Sequence, residues 1–426
     1  MRELNYNLYL VFYHIFLILF NVAMQLAALF HPKAKAWVNG RKGIWQKLAN
    51  AIDKKDKVIW MHVASLGEFE QGRLVLEKLK STYPTYKLLL TFFSPSGYEV
   101  RKNYKGADWV FYLPMDGPKN AKRFLDIAHP SLVIFVKYEF WFFYLKKISY
   151  KKIPLLLVAA LFRKEMSFFK WYGSISRKML ARFDHLFVQN ASSFQLLQQL
   201  GLEQTVSISG DTRFDRVIEN AVTPTPIEII KKFKGDSPLL VSGSTWPGDE
   251  KVIQQAILDP SLNQLKLVIA PHEINTAHLE QLQLLFPEAV LFSSSHIHSN
   301  NRILLIDSIG QLAACYQYAD FALIGGGFKQ PGIHNTLEAA VYGIPIFFGP
   351  NYEKFAEAIE LVKVGAAFSL KNTQDAGKQL AEQLQYFLAN NPAKVEAGDA
   401  ARRYVLSQKG ATEKILKFIA NKRYLS

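Results

Sequence analysis

The sequence predicts an α/β protein of two doubly wound, Rossmann-like domains preceded by one membrane-anchor helix. Three observations predict it. Short β-branched and aromatic runs alternate with stretches of helical period, the pattern of parallel strands joined by crossover helices. That scheme runs through twice, and 426 residues exceed what one hydrophobic core usually supports. The chain also begins with a long apolar run.

That run, Leu8 to Phe30, is interrupted only by His14, Asn21 and Gln25, and its length of about 23 residues is enough to span a hydrocarbon core. A cleaved signal peptide is the rival reading. It calls for a basic start, a shorter apolar stretch and a small-residue cleavage site, whereas this segment has one early Arg and ends in Phe30-His31-Pro32. Beyond it stand Lys33, Lys35, Arg41, Lys42, Lys47, Lys54, Lys55 and Lys57 against Asp53 and Asp56. Positive flanks stay on the cytoplasmic side, so residues 1–32 are expected to anchor the chain in the inner membrane with its bulk facing the cytoplasm. The cores lie beyond the anchor, which makes it dispensable for folding on this reading. A single cysteine, Cys315, excludes an internal disulfide framework and fits a reducing compartment.

In the first domain, 33–220, strands are expected near Val58–Ala64, Lys87–Phe93, Trp109–Leu113, Leu132–Val136, Pro154–Ala159, His185–Val188 and Val206–Ser209. Pro224, Pro226 and Gly235 mark a linker, 221–237. The second domain, 238–407, repeats the scheme near Pro238–Ser242, Leu265–Ala270, Ala289–Phe292, Ile303–Ile306, Phe321–Ile324, Pro345–Phe348 and Ala366–Ser369. The final segment, 408–426, carries a helix from Gln408 to Tyr424 that packs back on the first domain. Two such sheets facing each other put a cleft at their strands' carboxyl ends, where ligands of doubly wound sheets bind.

A net charge of +15 needs a partner. Nucleic acid is one candidate, but an anionic lipid surface explains the charge together with the anchor. Lys146 to Arg182 sharpens the case: Lys146, Lys147, Lys151, Lys152, Arg163, Lys164, Lys170, Arg177, Lys178 and Arg182 face Glu165 alone, with Phe162, Phe168, Phe169, Trp171 and Tyr172 interleaved. That composition suits an interfacial helix; a solvated basic helix face beside ordinary core aromatics is the plain alternative.

The candidate chemistry lies in the loops that follow strands. Ala64-Ser65-Leu66-Gly67-Glu68 opens a helix, which puts Glu68 in its first turn, as a cap or as a cleft carboxylate. Gly325-Gly326-Gly327 follows a strand, and His334-Asn335-Thr336-Leu337-Glu338 then opens an expected helix. Glycines let backbone approach a phosphate and helix amides hold it; Ser244, Thr245, Gly326 and Gly327 are the candidate phosphate contacts, and Glu338 can accept both hydroxyls of a ribose. Pro271-His272-Glu273 and Asp307-Ser308-Ile309-Gly310 are further strand-end loops. No D-x-D follows a strand and no His, Cys or carboxylate cluster has ligand spacing, so neither a divalent metal nor another cofactor is expected. G-x-x-x-x-G-K-[ST] and G-x-S-x-G are absent too. His62, His272 and His334 stand near strand ends, where structural histidines are common.

Together these residues resemble the 3-deoxy-D-manno-octulosonic acid (Kdo) transferases, GT-B enzymes that move Kdo from CMP-Kdo to lipid A precursors with inversion. The resemblance spans nearly the whole chain: the apolar start, HVASLGE at His62–Glu68, SPSGYE at Ser94–Glu99, YLPMD at Tyr112–Asp116, YEFW at Tyr138–Trp141, GDTRFD at Gly210–Asp215, GSTWPGDE at Gly243–Glu250 and GIHNTLEAA at Gly332–Ala340. It implies Glu68 as general base, Glu139 and Arg213 as transition-state support, and CMP held by Pro271, His272, Ile309, Gly310, Gln311, Asn335, Thr336, Leu337 and Glu338. It implies CMP-Kdo as substrate, not cofactor, and the lipid IVA form of the lipid A precursor as acceptor in lipopolysaccharide biosynthesis. The chain departs from the usual pattern with Arg213 for Lys, Tyr138–Phe142 for a T-E-L-W-P run, Pro271-His272-Glu273 for Pro-Arg-His, and Ile333 for a second Gly. Two alternatives stay open: another GT-B enzyme using a UDP-sugar, either a transferase or a UDP-N-acetylglucosamine 2-epimerase, and a non-catalytic basic protein that binds membranes or nucleic acid.

Overall fold

The structure, a computed structural model, describes residues 2–294, 297–371 and 374–425, with side chains from Leu10 onward. Met1, Ser426 and the side chains of Leu8 and Tyr9, which belong to the expected end segments, lie outside the described residues. The chain divides into two compact units, Met1–Asp215 with Gly410–Ser426, and Arg216–Lys409.

The first unit is built on a parallel sheet of strands β1 (Lys57–Val63), β2 (Tyr86–Phe92), β3 (Trp109–Tyr112), β4 (Pro130–Val136), β5 (Leu155–Ala160), β6 (His185–Val188) and β7 (Val206–Ile208), in the order β3-β2-β1-β4-β5-β6-β7. Every pairing is parallel. Helices cover both faces, so both faces must be apolar. Alternate residues serve alternate sides: Trp60, Leu89, Val133 and Leu157 enter one core, Ile59, Met61, Leu90 and Ile134 the other. The C-terminal helix, Ala411–Asn421, completes the second core with Ile415 and Ile419. The amides of Gly410 and Thr412 at its start both donate to the Asp215 carboxylate, at 2.6 Å each.

The second unit carries β8 (Leu239–Thr245), β9 (Lys266–Pro271), β10 (Val290–Leu291), β11 (Ile303–Leu305), β12 (Phe321–Ile324), β13 (Ile346–Phe348) and β14 (Ala367–Ser369), ordered β10-β11-β9-β8-β12-β13-β14, again all parallel. The segment expected as a linker, 221–237, contains a helix, Glu228–Lys234, that buries Ile230 and Phe233. Lys234 also pairs with Asp320 at 2.8 Å. The apolar spacing of Ile227, Ile230 and Phe233 outweighs the turn signal of the two prolines before it.

The N-terminal helix, Arg2–Ala27, is long and apolar enough by length and composition to cross a membrane. It is no free tether. Tyr13, Leu17 and Phe20 recur at helical spacing on one stripe. The Tyr13 ring meets Phe142 and Phe143, Leu17 is buried, and Phe20 meets Trp37 and Phe93. Val11, Phe12, Ile15, Phe16, Ile18, Leu19, Val22 and Leu26 stay exposed on the remaining faces. The expectation that all packing lies beyond residue 32 is therefore corrected: this helix adds an edge to the first unit.

Candidate functional site

Each sheet has one point where the strand order reverses, and ligands of doubly wound sheets bind beyond the carboxyl ends of the strands there. In the first unit the reversal falls between β1 and β4, the strands that lead to Glu68 and Glu139. Glu68 stands in the first turn of the Leu66–Thr82 helix, whose N-cap Ser65 accepts its amide. Its Oε2 accepts the amide of Ala64 at 2.6 Å, so the cap reading holds for that oxygen. The carboxyl group also sits in an unusual field. Burial, and then the negative charge of Glu139, push its pKa up to about 7, against the pull of the Ala64 amide and of Lys137. A carboxylate that titrates at neutral pH is suited to taking a proton.

Glu139 is buried in the loop between β4 and the Phe142–Tyr150 helix. Its Oε2 lies 2.8 Å from His62 Nε2 and 2.6 Å from Trp141 Nε1. Behind it, His62 Nδ1 lies 2.9 Å from Thr91 Oγ1 and 3.1 Å from the Thr91 carbonyl oxygen, and Trp60 Nε1 donates to the same hydroxyl at 2.8 Å. The carboxylate oxygen of Glu139 accepts from Nε2–H. His62 thus positions Glu139 rather than acting on a ligand.

Lys137 lies between the glutamates in sequence and was not anticipated. Its φ of 65° is a left-handed conformation that a lysine adopts at a cost of order 1–3 kcal/mol. Burial, followed by the like charge of Arg213, lowers its pKa, while Glu68 and Asp211 favour its charged form. Arg213, at the start of the Thr212–Val222 helix, is held by Asp211: Nε donates to Oδ2 at 2.8 Å and Nη2 lies 2.7 Å from the same oxygen. Glu68, Lys137, Asp211 and Arg213 thus form one electrostatic group.

In the second unit the reversal falls between β8 and β12. A Cβ on Gly325 would collide with the backbone of Ser244 and Thr245, and Gly326 takes φ 91°, so the triple glycine is needed for close approach and for a left-handed turn. Asp249 Oδ2 accepts the amides of Gly326 at 2.8 Å and Trp246 at 2.9 Å. Thr245 is buried, and its hydroxyl donates to Glu250 at 2.9 Å. The Gly326 amide and the Thr245 hydroxyl are thus engaged within the fold.

Beside this loop three rings stack. Trp246 lies on His272 with centroids 4.8 Å apart, and His272 on His334 at 4.2 Å. Trp246 Nε1 also donates to His334 Nε2 at 3.1 Å. Burial, helped by His272 and Lys329, lowers the pKa of His334 to about 4; burial lowers that of His272 as well, with Glu273 opposing. The expected helix after His334 is a single turn, Leu337–Ala340. Asn335 organises it: Oδ1 accepts the Leu337 amide at 3.1 Å and Nδ2 donates to Glu338 Oε1 at 3.0 Å. Thr336 and Leu337 are buried. Pro271 ends β9, Ile309 is 86% exposed, Gly310 takes φ 95°, and Gln311 caps the turn Leu312–Cys315.

Residues 38–216 match the family model for 3-deoxy-D-manno-octulosonic-acid transferase. The chain is 29% identical to the Kdo transferase of Aquifex aeolicus, over 76% of this chain and 86% of the relative. It is 26% identical to that of Haemophilus influenzae, over 87% of this chain and 88% of the relative. Over residues 38–216 the chain carries a Kdo transferase family domain, and relatives of that name align with most of its length. Its backbone is similar to the UDP-N-acetylglucosamine 2-epimerase of Neisseria meningitidis, with a TM-score of 0.60 at 16% identity, covering 86% of this chain and 100% of that one. At that identity the likeness concerns the fold alone, two Rossmann-like units of GT-B type.

The structure brings Glu68, Glu139 and Arg213 together with Lys137 in the first unit, and gathers His272 and His334 around Trp246 in the second. Trp246 and Lys329 escaped the sequence reading. Trp246 was quoted only inside a motif, and Lys329 carried no signal beyond its place after the triple glycine.

Proposed function

We propose that this protein transfers Kdo from CMP-Kdo to a hydroxyl of a lipid A precursor, the lipid IVA form, with inversion, at the cytoplasmic face of the inner membrane. The observation that carries the reading is Glu68, a partly buried carboxyl with a pKa near 7 beside Glu139 at the reversal point of the first sheet. The names of the curated relatives supply the sugar.

In this reading the acceptor hydroxyl oxygen attacks the anomeric carbon of Kdo while Glu68 takes its proton. The bond from that carbon to the CMP phosphate oxygen breaks, and CMP leaves with the electron pair. One direct displacement inverts the centre. Lys137 and Arg213 offer positive charge to an anion such as the sugar carboxylate, and Glu139, fixed by His62 and Trp141, faces the positive charge that develops on the sugar. Glu338 and Asn335 take the ribose; His272, Pro271 and the Ile309–Gln311 turn complete the nucleotide site. No step uses a divalent metal. The exposed apolar faces of the N-terminal helix, with Trp171 and Tyr172 exposed at 92% and 60% within the basic stretch, support contact with an anionic membrane.

Incubating the detergent-solubilised protein with CMP-Kdo and a tetra-acylated lipid A precursor tests this. The lipid's mass is expected to rise by one or more Kdo units, unchanged by EDTA. Turnover of UDP-N-acetylglucosamine with none of CMP-Kdo would replace this reading with the epimerase-type alternative.

A further inference from the structure

Fixed positive charge in the strand-end loops of the second unit comes from a few lysines. Burial lowers the pKa of both His272 and His334, so at neutral pH they offer hydrogen bonds rather than charge. Besides Lys354 after β13, whose Nζ donates to Gln330 Oε1 at 3.4 Å, and Lys371 after β14, there is Lys329 after β12. Its amide donates to the carbonyl of Gly326 at 3.2 Å, closing the turn that follows the triple glycine. That turn is itself fixed, through the Gly326 amide on Asp249 and the Asn351 side chain, which donates to the carbonyl of Gly327 at 2.9 Å.

The ammonium group of Lys329 lies 3.2 Å from the centroid of the Trp246 ring, and its charge is felt by both His272 and His334. Among the described residues it forms no ion pair; the Trp246 ring is its recorded partner. Trp246 is in turn the N-cap residue of the Pro247–Ile257 helix, whose positive end adds to the same field. A cation resting on an aromatic face, beside two neutral imidazoles and a helix start, is arranged to receive a compact anion with several acceptor oxygens.

We infer that Lys329 holds the phosphate of the nucleotide that binds the second unit, with Trp246 as the platform that aims its ammonium group. The inference rests on the nucleotide-sugar reading above and deepens it. It makes Lys329 a binding residue specific for phosphate: the base and ribose of the ligand do not need it.

Calorimetry on the full-length protein in detergent, with CMP and cytidine as paired probes, separates the two ideas. For Lys329→Gln the expected result is a loss of CMP affinity of roughly tenfold, the scale of one charge-assisted hydrogen bond, with cytidine affinity unchanged. Lys329→Arg is expected to bind CMP nearly as the parent does, and the CMP advantage over cytidine is expected to shrink with salt in the parent but not in Lys329→Gln. Equal affinities of parent and Lys329→Gln for CMP overturn the assignment while leaving the nucleotide reading intact. Equal loss of CMP and cytidine also overturns it, since Lys329 then only supports the Trp246 ring. Failure of the parent to bind either probe overturns the nucleotide reading, and the assignment of Lys329 with it.

Discussion

The hydroxyl of Tyr13 donates to Oδ2 of Asp116 at 2.8 Å, joining residues 103 positions apart. The same carboxylate accepts the amides of Phe143 at 3.0 Å and Tyr144 at 3.1 Å, so one buried aspartate secures the N-terminal helix to the start of the Phe142–Tyr150 helix. With the Gly117 amide as a fourth donor, Tyr13→Phe removes one of four and is expected to cost about 1–3 kcal/mol, the penalty for a buried acceptor left short of a partner. Thermal unfolding in detergent checks it. A chain beginning at Pro32 is expected to melt lower still, because Trp37 and Phe93 lose their cover; an unchanged melting temperature would make the helix a passive tether.

The field around Glu68 predicts a pH signature. The base must be ionised, so kcat/KM is expected to fall about tenfold per pH unit below pH 7. Glu139→Gln removes the negative charge that raises the Glu68 pKa, and the acidic limb should move to lower pH. Lys137→Met removes a positive charge that lowers it, and the limb should move to higher pH. Glu68→Gln is expected to reduce transfer by roughly 100-fold or more with CMP affinity unchanged. One limb common to all the active variants would mean that the titrating group lies elsewhere.

Glu338 tests the ribose contact. Glu338→Ala is expected to weaken CMP by about 1.5–3 kcal/mol, the range for hydrogen bonds to a charged group. A 2′,3′-dideoxy analogue should bind parent and variant alike. Because Asn335 Nδ2 already donates to Glu338, Asn335→Ala is expected to give a smaller loss in the same direction. Calorimetry showing full CMP affinity in a folded Glu338→Ala protein would reduce the pair to turn architecture.

The basic and aromatic stretch makes a prediction about the lipid acceptor. Not every cation in it faces solvent: Arg177 donates to the carbonyls of Phe168 and Lys170, both at 3.0 Å, and so builds the loop. Lys164→Gln with Lys170→Gln and Trp171→Ser spares that framework. Each basic residue near an anionic surface contributes about 1 kcal/mol, screened by salt. The apparent KM for acceptor in anionic bilayers should therefore rise several-fold at low salt, less at high salt, with CMP affinity constant. An unchanged KM would make this stretch a solvated surface.

The strands were legible because a parallel sheet covered on both faces writes itself as uninterrupted apolar runs; β6 and β12 coincide with their expected bounds. Glu68 was legible as the first-turn residue of a helix after β1. Three features were not, and each depends on tertiary partners. The left-handed turn at Lys137 is imposed on a residue whose type does not ask for it. The helix after His334 stops after one turn although its sequence reads as a helix start. The stripe Tyr13, Leu17 and Phe20 is invisible inside a segment that is apolar all round, since periodicity needs polar residues for contrast.

Phe93 touches Phe20 of the N-terminal helix on one side, with ring centroids 6.1 Å apart, and Trp141 on the other at 4.7 Å; Trp141 in turn donates to Glu139. The greasy helix and the Glu68–Glu139 pair of the first unit therefore share a wall of packed rings. The distance between them is set by rigid packing instead of by the length of a connecting strand of chain. Such a helix works as a strut: exchanging it for a flexible tether would keep an apolar segment at the start of the chain but surrender the brace it gives Phe93 beside Trp141.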